Sequence, residues 1–354
     1  MQVLVQPGDG IASLLAGIES AQKSIEIMIF RFDERELELA LKTAVTRGVL
    51  VHALIAYSKG RGQKNLRKLE ARLLAAGVTV ARTGNDLVRY HAKFMIVDRR
   101  TLYLLTFNYT HLDISHSRNF GLVIKDKELV QEAVRLFEAD TTRQPYTPLR
   151  TAFIVSPANA RERLADFIQG AQRQLLIYDG KLSDAQFLRL LQARAQAGVE
   201  IKVIGQLSKR GAGIQAVKLR GLRLHAQAII RDGSQAFLGS QSLRKAELDA
   251  RREVGFITDD AQVVERLLAT FEADWAASFT AKGPVKEASA KTKQAQPGAL
   301  AAVLKEVVKD AVKEVVVEAG GALPEPKQVK GVVKEAVKEA VKEAVKEKEL
   351  KPAA

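Results

Sequence analysis

Residues 89–98 read RYHAKFMIVD, with a histidine, a lysine two residues on and an aspartate seven residues on, at the edge of an apolar run. Phe94-Met95-Ile96-Val97 is closed by the polar stretch Asp98-Arg99-Arg100-Thr101, and Leu102 to Phe107 is apolar again, so a β-hairpin is expected. In a strand, residues i and i+2 share a face, which points His91 and Lys93 the same way. With the turn centred on Arg99-Arg100, antiparallel pairing sets Asn108 roughly opposite His91. An imidazole, an ammonium and an amide then converge on one spot, a combination that suits a phosphate. A lone histidine at a strand end is more often a surface or hydrogen-bonded structural group, so the reading turns on whether the stretch has a counterpart.

It does. ESAQKSIEIMIF at 19–30 is echoed by QGAQRQLLIYDG at 169–180, an offset of 150 that also pairs Pro7 with Pro157, Gly48 with Gly198, and Ser58-Lys59 with Ser208-Lys209. HAQAIIRD at 225–232 answers HAKFMIVD at an offset of 134, as FEAD at 271–274 answers FEAD at 137–140. The chain is two copies of one unit, the second shorter by 16 residues between Lys209 and His225.

Each copy has the same order of elements. An apolar run (Ser24 to Phe30; Gln174 to Tyr178) precedes a helical pattern (Glu34 to Thr46; Asp184 to Ala197), a glycine stop (Gly48; Gly198) and a second apolar run (Val49 to Ala56; Val199 to Ile204). This β-α-β order predicts an α/β fold, a mixed or parallel sheet flanked by helices. The motif hairpin and a closing helix (Lys127 to Ala139; Asp260 to Trp275) complete each lobe. The predicted organisation is a first lobe at 1–140, a linker with two prolines at 141–150, a second lobe at 151–280 and a tail at 281–354.

The pattern HxK(x4)D, followed by a small-residue pair and Asn and occurring twice in one chain, resembles the phospholipase D superfamily over residues 1–280. The resemblance implies two packed lobes whose motifs meet at one site. It also implies that one histidine attacks phosphorus to form a phosphohistidine and the other protonates the leaving oxygen, with no metal or cofactor. In the first copy His91, Lys93, Asp98 and Asn108 fit, whereas Leu105 and Thr106 stand where Gly and Ser are usual and Asn119 where Glu is usual. In the second, His225, Asp232, Gly239, Ser240 and Glu253 fit, but Gln227 replaces the lysine and Ser242 the asparagine. Both histidines are present and half of the phosphate clamp is not.

Covalent catalysis at phosphorus needs one neutral imidazole as nucleophile and one protonated imidazole as acid. An unperturbed pKa of about 6.5 lets two histidines in different surroundings divide those roles. Lys93, Asn108, Gln227 and Ser242 are the expected phosphate-binding donors, with Gln227 offering a dipole in place of a charge. Loss of one such donor typically costs about 100- to 1,000-fold in rate, which slows an enzyme without abolishing it, and Lys209 and Lys245 are candidates to compensate. Asp98 and Asp232, at the hairpin turns, read as structural. Glu253 reads as the group that fixes a histidine's tautomer. His52, His111 and His116 have no counterpart in the other copy and receive no role. With no cysteine and no cluster at ligand spacing, no metal site is expected.

A chain of 354 residues, 47% hydrophobic, is long enough to bury two ordinary cores. The absence of cysteine removes any disulfide scaffold. MQVLVQPGDG has no basic region followed by an apolar core, and no apolar run approaches the length of a membrane span. A cytoplasmic location, peripheral to a membrane at most, is the expectation. The net charge of +14 favours phosphate-rich partners, either an anionic membrane surface or nucleic acid. One source is SKGRGQKNLRKLEAR at 58–72, which lacks the interleaved aromatics of a single-strand binder and reads equally as a solvated helix face. The tail, with VKEAVKEAVKEAVKEKE at 333–349 and LKEVVKDAVKEVVVEA at 304–319, reads as a helical or disordered Lys/Glu/Val/Ala extension. Three functions fit: a phospholipase D-type phosphodiesterase that hydrolyses or transfers phospholipid, with His91 the nucleophile; a metal-independent endonuclease of the same chemistry; and a degenerate phosphate-binding protein.

Overall fold

The computed structural model describes residues 1–57, 62–209 and 211–279; the tail expected at 281–354 lies outside them. The two copies fold into two mixed sheets with the same strand order. In the first, the path runs Gln2–Gln6, Ser117–Ile124, Thr101–Leu105, Phe94–Val97, Ser24–Ile29, Leu50–Ile55, Thr79–Arg82. In the second it runs Phe153–Val155, Val254–Thr258, Gln235–Gly239, Gln227–Arg231, Gln174–Leu182, Glu200–Leu207, Ile214–Val217. Three neighbouring strands of each path are parallel and the remaining pairings are antiparallel.

The β-α-β reading holds in both lobes. The amphipathic patterns become helices Arg35–Thr46 and Ala185–Gln196, and each chain reversal beyond them uses a glycine with positive φ, Gly48 and Gly198. There the missing Cβ removes the steric cost of the left-handed conformation. The closing helices are Lys127–Thr142 and Ala261–Ala277, each begun by an aspartate, Asp126 or Asp260, that accepts backbone N–H groups of its first turn. Where the second copy is shorter, it lacks the first copy's helix Gly62–Ala75 and leads from Glu200–Leu207 into the short strand Ile214–Val217.

The two lobes do not simply bury one core each. An outer cluster lies in each lobe, around Ile27, Leu41 and Leu73 in the first and around Phe167, Phe187 and Val203 in the second. A third spans both, packing Phe94, Phe120 and Phe137 with Tyr178, Phe256 and Phe271. Arg252 of the second lobe donates to the buried Asp140 of the first at 3.1 Å. Arg223–Leu224 pairs parallel to the start of Ser117–Ile124, and Arg251–Arg252 to Arg89–Tyr90, so each lobe lends a short strand to the other beside its motif. The segment between lobes lies on the first closing helix, with Tyr146 Oη and the Leu149 N–H donating to Glu132. Among the described residues, no helix is long and apolar enough to cross a membrane.

Candidate active site

The hairpin pairs Phe94 with Leu104 and Val97 with Thr101, which centres the turn on Arg99, half a residue earlier than expected. The register therefore brings position 107, not Asn108, opposite His91. Asn108 lies just past the strand, buried, with its Nδ2 donating to Asp113 Oδ2 at 2.6 Å. The Asp98 carboxylate turns away from the site and accepts the N–H groups of Gln22, Lys23 and Ser24; Asp232 does the same for Gln172, Arg173 and Gln174. Both aspartates adopt positive φ.

His91 is held by the opposite lobe. Its backbone N–H donates to the Arg252 carbonyl at 2.8 Å. Nδ1 lies 2.9 Å from Glu253 Oε2; with that carboxyl ionised it can only accept, so Nδ1 carries the proton and Nε2 is the acceptor nitrogen of the ring. Lys93 Nζ lies 2.9 Å from Nε2 and 3.0 Å from Nδ1. Phe30 packs edge-on to the imidazole at 4.6 Å. Glu253 has no exposed surface and Lys93 only 1%. Burial pushes the Glu253 carboxyl up to about 7, against the pull of Lys93, Ser240 and Arg251. Burial likewise brings the Lys93 ammonium down to about 8, with Glu253 and Asp113 opposing. The same burial, reinforced by Lys93, Arg251 and Arg89, holds His91 well below its ordinary value, which favours a neutral imidazole.

His225 is held in turn by the first lobe. Nδ1 lies 2.9 Å from Asn119 Oδ1 and 3.6 Å from Asp113 Oδ2. The orientation of the amide is fixed, because Asn119 Nδ2 donates to the Asp113 carbonyl and Thr106 Oγ1 donates to Asn119 Oδ1. Burial lowers the His225 pKa, with Asp113 resisting and Lys93, Arg223 and His91 adding to the fall. Each motif histidine thus bonds a side chain of the opposite lobe, which brings both motifs to the boundary between the two sheets.

The second half of the phosphate clamp is altered beyond the missing lysine. Ser242 corresponds to Asn108, but it is buried and donates its hydroxyl proton to Asp179 Oδ1 at 2.6 Å, leaving none for a phosphate. Asp179 stands where the first copy has Ile29, and it also accepts from the Leu243 and Lys181 N–H groups. Ser242 is thus not brought forward as an anion donor, which corrects the sequence expectation. Gln227 is half-buried opposite Gly239 and its side chain makes no hydrogen bond among the described residues. Lys209 and Lys245 are exposed and neither hydrogen-bonds into the site; the cations that His225 does feel are Lys93 and Arg223.

Beside the histidines an open groove of about 1080 Å³ is lined by Phe30, Arg31, Arg89, Asn108, Asp113 and Arg223, among others. The basic run contributes Lys68 and Arg72 to its wall, the latter paired with Glu38 at 2.8 Å. Lys59 and Arg61 of that run lie outside the described residues, as does the Lys64 side chain. Asp113 and Arg223 are absent from the sequence reading, although the repeat contains the signal. Asp113 answers Glu247 and Arg223 answers Arg89 at the same offset of 134 that relates the histidines. Among the described residues no group of His, Asp or Glu is arranged to hold a metal ion.

Comparison with known proteins bears on this geometry. The family described as cardiolipin synthase, phospholipase D-like domain, matches residues 14–141 and 164–275, both lobes. Mitochondrial cardiolipin hydrolase of Mus musculus is 31% identical over 147 residues, 39% of this chain and 63% of that protein, so the chain spans less than two thirds of that relative's length. The polyphosphate kinase of Porphyromonas gingivalis superposes with a TM-score of 0.66 at 19% identity, covering 78% of this chain and 47% of that one. The phosphatidylserine synthase of Haemophilus influenzae Rd KW20 superposes with a TM-score of 0.59 at 12% identity, covering 78% of this chain and 85% of that one. At such identities these two structures speak to the shared two-lobe fold alone.

Proposed function

Because the chain belongs to the cardiolipin synthase, phospholipase D-like domain family, we propose that it cleaves phosphodiesters, phospholipids in the first place, through a phosphohistidine formed on His91. The observation that carries this reading is the interlobe pair of His91 and Glu253 beside Lys93. Glu253 holds the Nδ1 proton, which aims the Nε2 lone pair outward and stabilises the charge that the ring gains on bonding phosphorus. Lys93 and the free N–H of Asn108 meet the phosphoryl oxygens, and a bound phosphodiester anion draws Lys93 back toward its charged form. His225 is the second histidine, facing the leaving oxygen. Water completes hydrolysis, and an alcohol in its place gives transfer.

Phospholipid is favoured as substrate by the 31% identity to a protein named cardiolipin hydrolase. The arginine-rich groove also accommodates the phosphates of nucleic acid, which is the competing substrate. We place the activity at a membrane face, on the net charge of +14 that favours an anionic surface. The test is acid quenching of the full chain during turnover of a phosphorus-labelled short-chain phospholipid and, separately, a labelled oligonucleotide. Label on His91, lost in His91→Ala, is the expected result with the lipid. Label on His225 reverses the assignment, and turnover without label at either histidine removes the covalent mechanism.

A further inference from the structure

The two histidines are served unequally. Glu253 places a full carboxylate on His91 Nδ1, whereas the corresponding position facing His225 holds Asn119, whose Oδ1 is an amide oxygen 2.9 Å away. An amide fixes the tautomer as a carboxylate does, since both accept the Nδ1 proton, but it contributes no net charge to an imidazolium. The acid of a phosphoryl transfer must carry that charge until the leaving oxygen takes its proton.

A carboxylate does reach the same imidazole from another direction. Asp113, in the short helix His111–Ser115, is 3% exposed and lies 3.6 Å from His225 Nδ1 through Oδ2. Four contacts set its position: the Asn108 N–H at 3.0 Å, Asn108 Nδ2 at 2.6 Å, Arg223 Nη1 at 2.6 Å, and its own N–H facing Thr110 Oγ1. It stays ionised because His225, Asn108 and Arg223 together outweigh its burial. The counterpart in the second lobe, Glu247, also accepts from the backbone N–H that corresponds to Asn108, that of Ser242 at 2.8 Å, but no contact joins it to His91. The arrangement around His225 is therefore not a by-product of the repeat.

We propose that Asp113 is a positioning residue for His225, supplying from 3.6 Å the negative charge that neutral Asn119 lacks, so that His225 acts as the acid toward the leaving oxygen. This rests on the phosphodiesterase reading above. In the first step the His91 Nε2 lone pair forms the N–P bond. The P–O bond to the leaving alcohol breaks with its electron pair on oxygen, and that oxygen takes the Nε2 proton of His225, which the bound phosphodiester anion together with Asp113 holds protonated against burial and the neighbouring cations. In the second step water attacks phosphorus and gives a proton to His225 Nε2, while the N–P electrons return to His91. Burial, Lys93, Arg223 and His91 disfavour the protonated form of His225, and Asp113, its ion-pair partner at 3.6 Å, opposes them.

The experiment compares two leaving groups on the full chain. A short-chain phosphatidylcholine releases an alkoxide that needs a proton; bis(p-nitrophenyl) phosphate releases a phenolate that does not. Asp113→Asn is expected to lose about 10- to 100-fold in kcat/KM on the first and only a few-fold on the second, as expected for a weakened general acid. A merely structural role for Asp113 predicts equal losses on both, and that result overturns the proposal, as does no loss on either. Asn119→Asp places a carboxylate directly on Nδ1 and is expected to move the basic limb of the phosphatidylcholine profile to higher pH. An unmoved limb would show that charge at His225 is not limiting and overturns the proposal even if Asp113→Asn fails to fold. Absence of turnover of either substrate by the unaltered chain removes the functional reading itself; turnover with an unmoved leaving-group ratio in Asp113→Asn removes this inference alone.

Discussion

Glu253→Gln takes one charge from the most enclosed point of the site and keeps the side chain's shape. The carboxylate accepts the His91 Nδ1 proton at 2.9 Å with no exposed surface, and a charge-assisted bond of this kind is worth about 1.5–3 kcal/mol. At about 1.4 kcal/mol per tenfold, its loss from the transition state corresponds to roughly 10- to 150-fold in rate. Two further effects act in the same direction. A glutamine NH2 turned toward Nδ1 selects the other tautomer, with the proton on Nε2 and no lone pair for phosphorus. Lys93, brought to about 8 by burial with Glu253 opposing, loses that opposition and falls further, so less of it is charged at neutral pH. The expected outcome is a kcat/KM at least tenfold lower, roughly, with the basic limb of the pH profile moved toward acid. The assay is steady-state hydrolysis of a water-soluble phosphodiester across the neutral range. Stability changes the other way. Burial raises Glu253 to about 7, so the folded state holds that proton more tightly than the unfolded chain, and the group's contribution is lost as pH rises through about 7. Above neutrality the glutamine variant should therefore melt no lower than the parent. Activity within about threefold of the parent together with an unmoved basic limb would refute the role given to the pair.

Asp98→Ala and Asp232→Ala each leave three backbone N–H groups without their carboxylate, at a cost of about 2 kcal/mol or more in chemical denaturation, while kcat of the folded fraction stays near that of the parent. Although burial alone would raise them, the backbone N–H groups hold both carboxyls below their ordinary range, so their contribution is present above that range and fades as pH falls through the depressed values; the two alanine variants should accordingly lose less stability on acidification than the parent. Asp140→Asn strips the counter-charge from Arg252, itself 7% exposed, and is expected to cost about 3–5 kcal/mol in urea unfolding; a change under about 1 kcal/mol would show that the interlobe pair contributes little.

What the sequence disclosed followed from rules that act locally. The motif hairpin, the β-α-β order and the glycine stops were legible because strand alternation, helical periodicity and positive-φ positions each leave their mark within about a dozen residues. The register error at Asn108 arose because a three-residue turn and a four-residue polar stretch cannot be told apart by composition. The cross-lobe partners were hidden for a different reason. Glu253 and His91 are separated by 162 residues, and no periodicity says which face of one sheet meets which face of the other. The same limit concealed the shared core, since the alternating apolar residues of each strand identify a buried face without naming its partner. Asp113 was legible in principle, as the counterpart of Glu247. A lone aspartate in a five-residue helix carries no signal until the repeat is aligned through it.

Duplication alone would give two equivalent half-sites, and this chain has moved them apart in a complementary way. The first lobe holds Lys93 and Asn108, the donors proposed to meet a phosphate, while its position 119 is an amide. The second has Gln227 in place of the lysine and Ser242 turned onto Asp179, yet it holds Glu253. Lys93 of the first lobe and the carboxylate of the second both meet His91, whereas Asn108 bonds Asp113 on the side of His225. His225 is left with an amide, a more distant carboxylate and no lysine from its own motif. In the reading proposed above, the imidazole with a carboxylate on Nδ1 and an ammonium alongside is the one that bonds phosphorus, and the one with an amide on Nδ1 and Asp113 at 3.6 Å is the one that exchanges a proton. On that reading the losses in the second motif fall on the half of the site whose histidine handles a proton and not the phosphate, and the altered motif is compatible with a working enzyme.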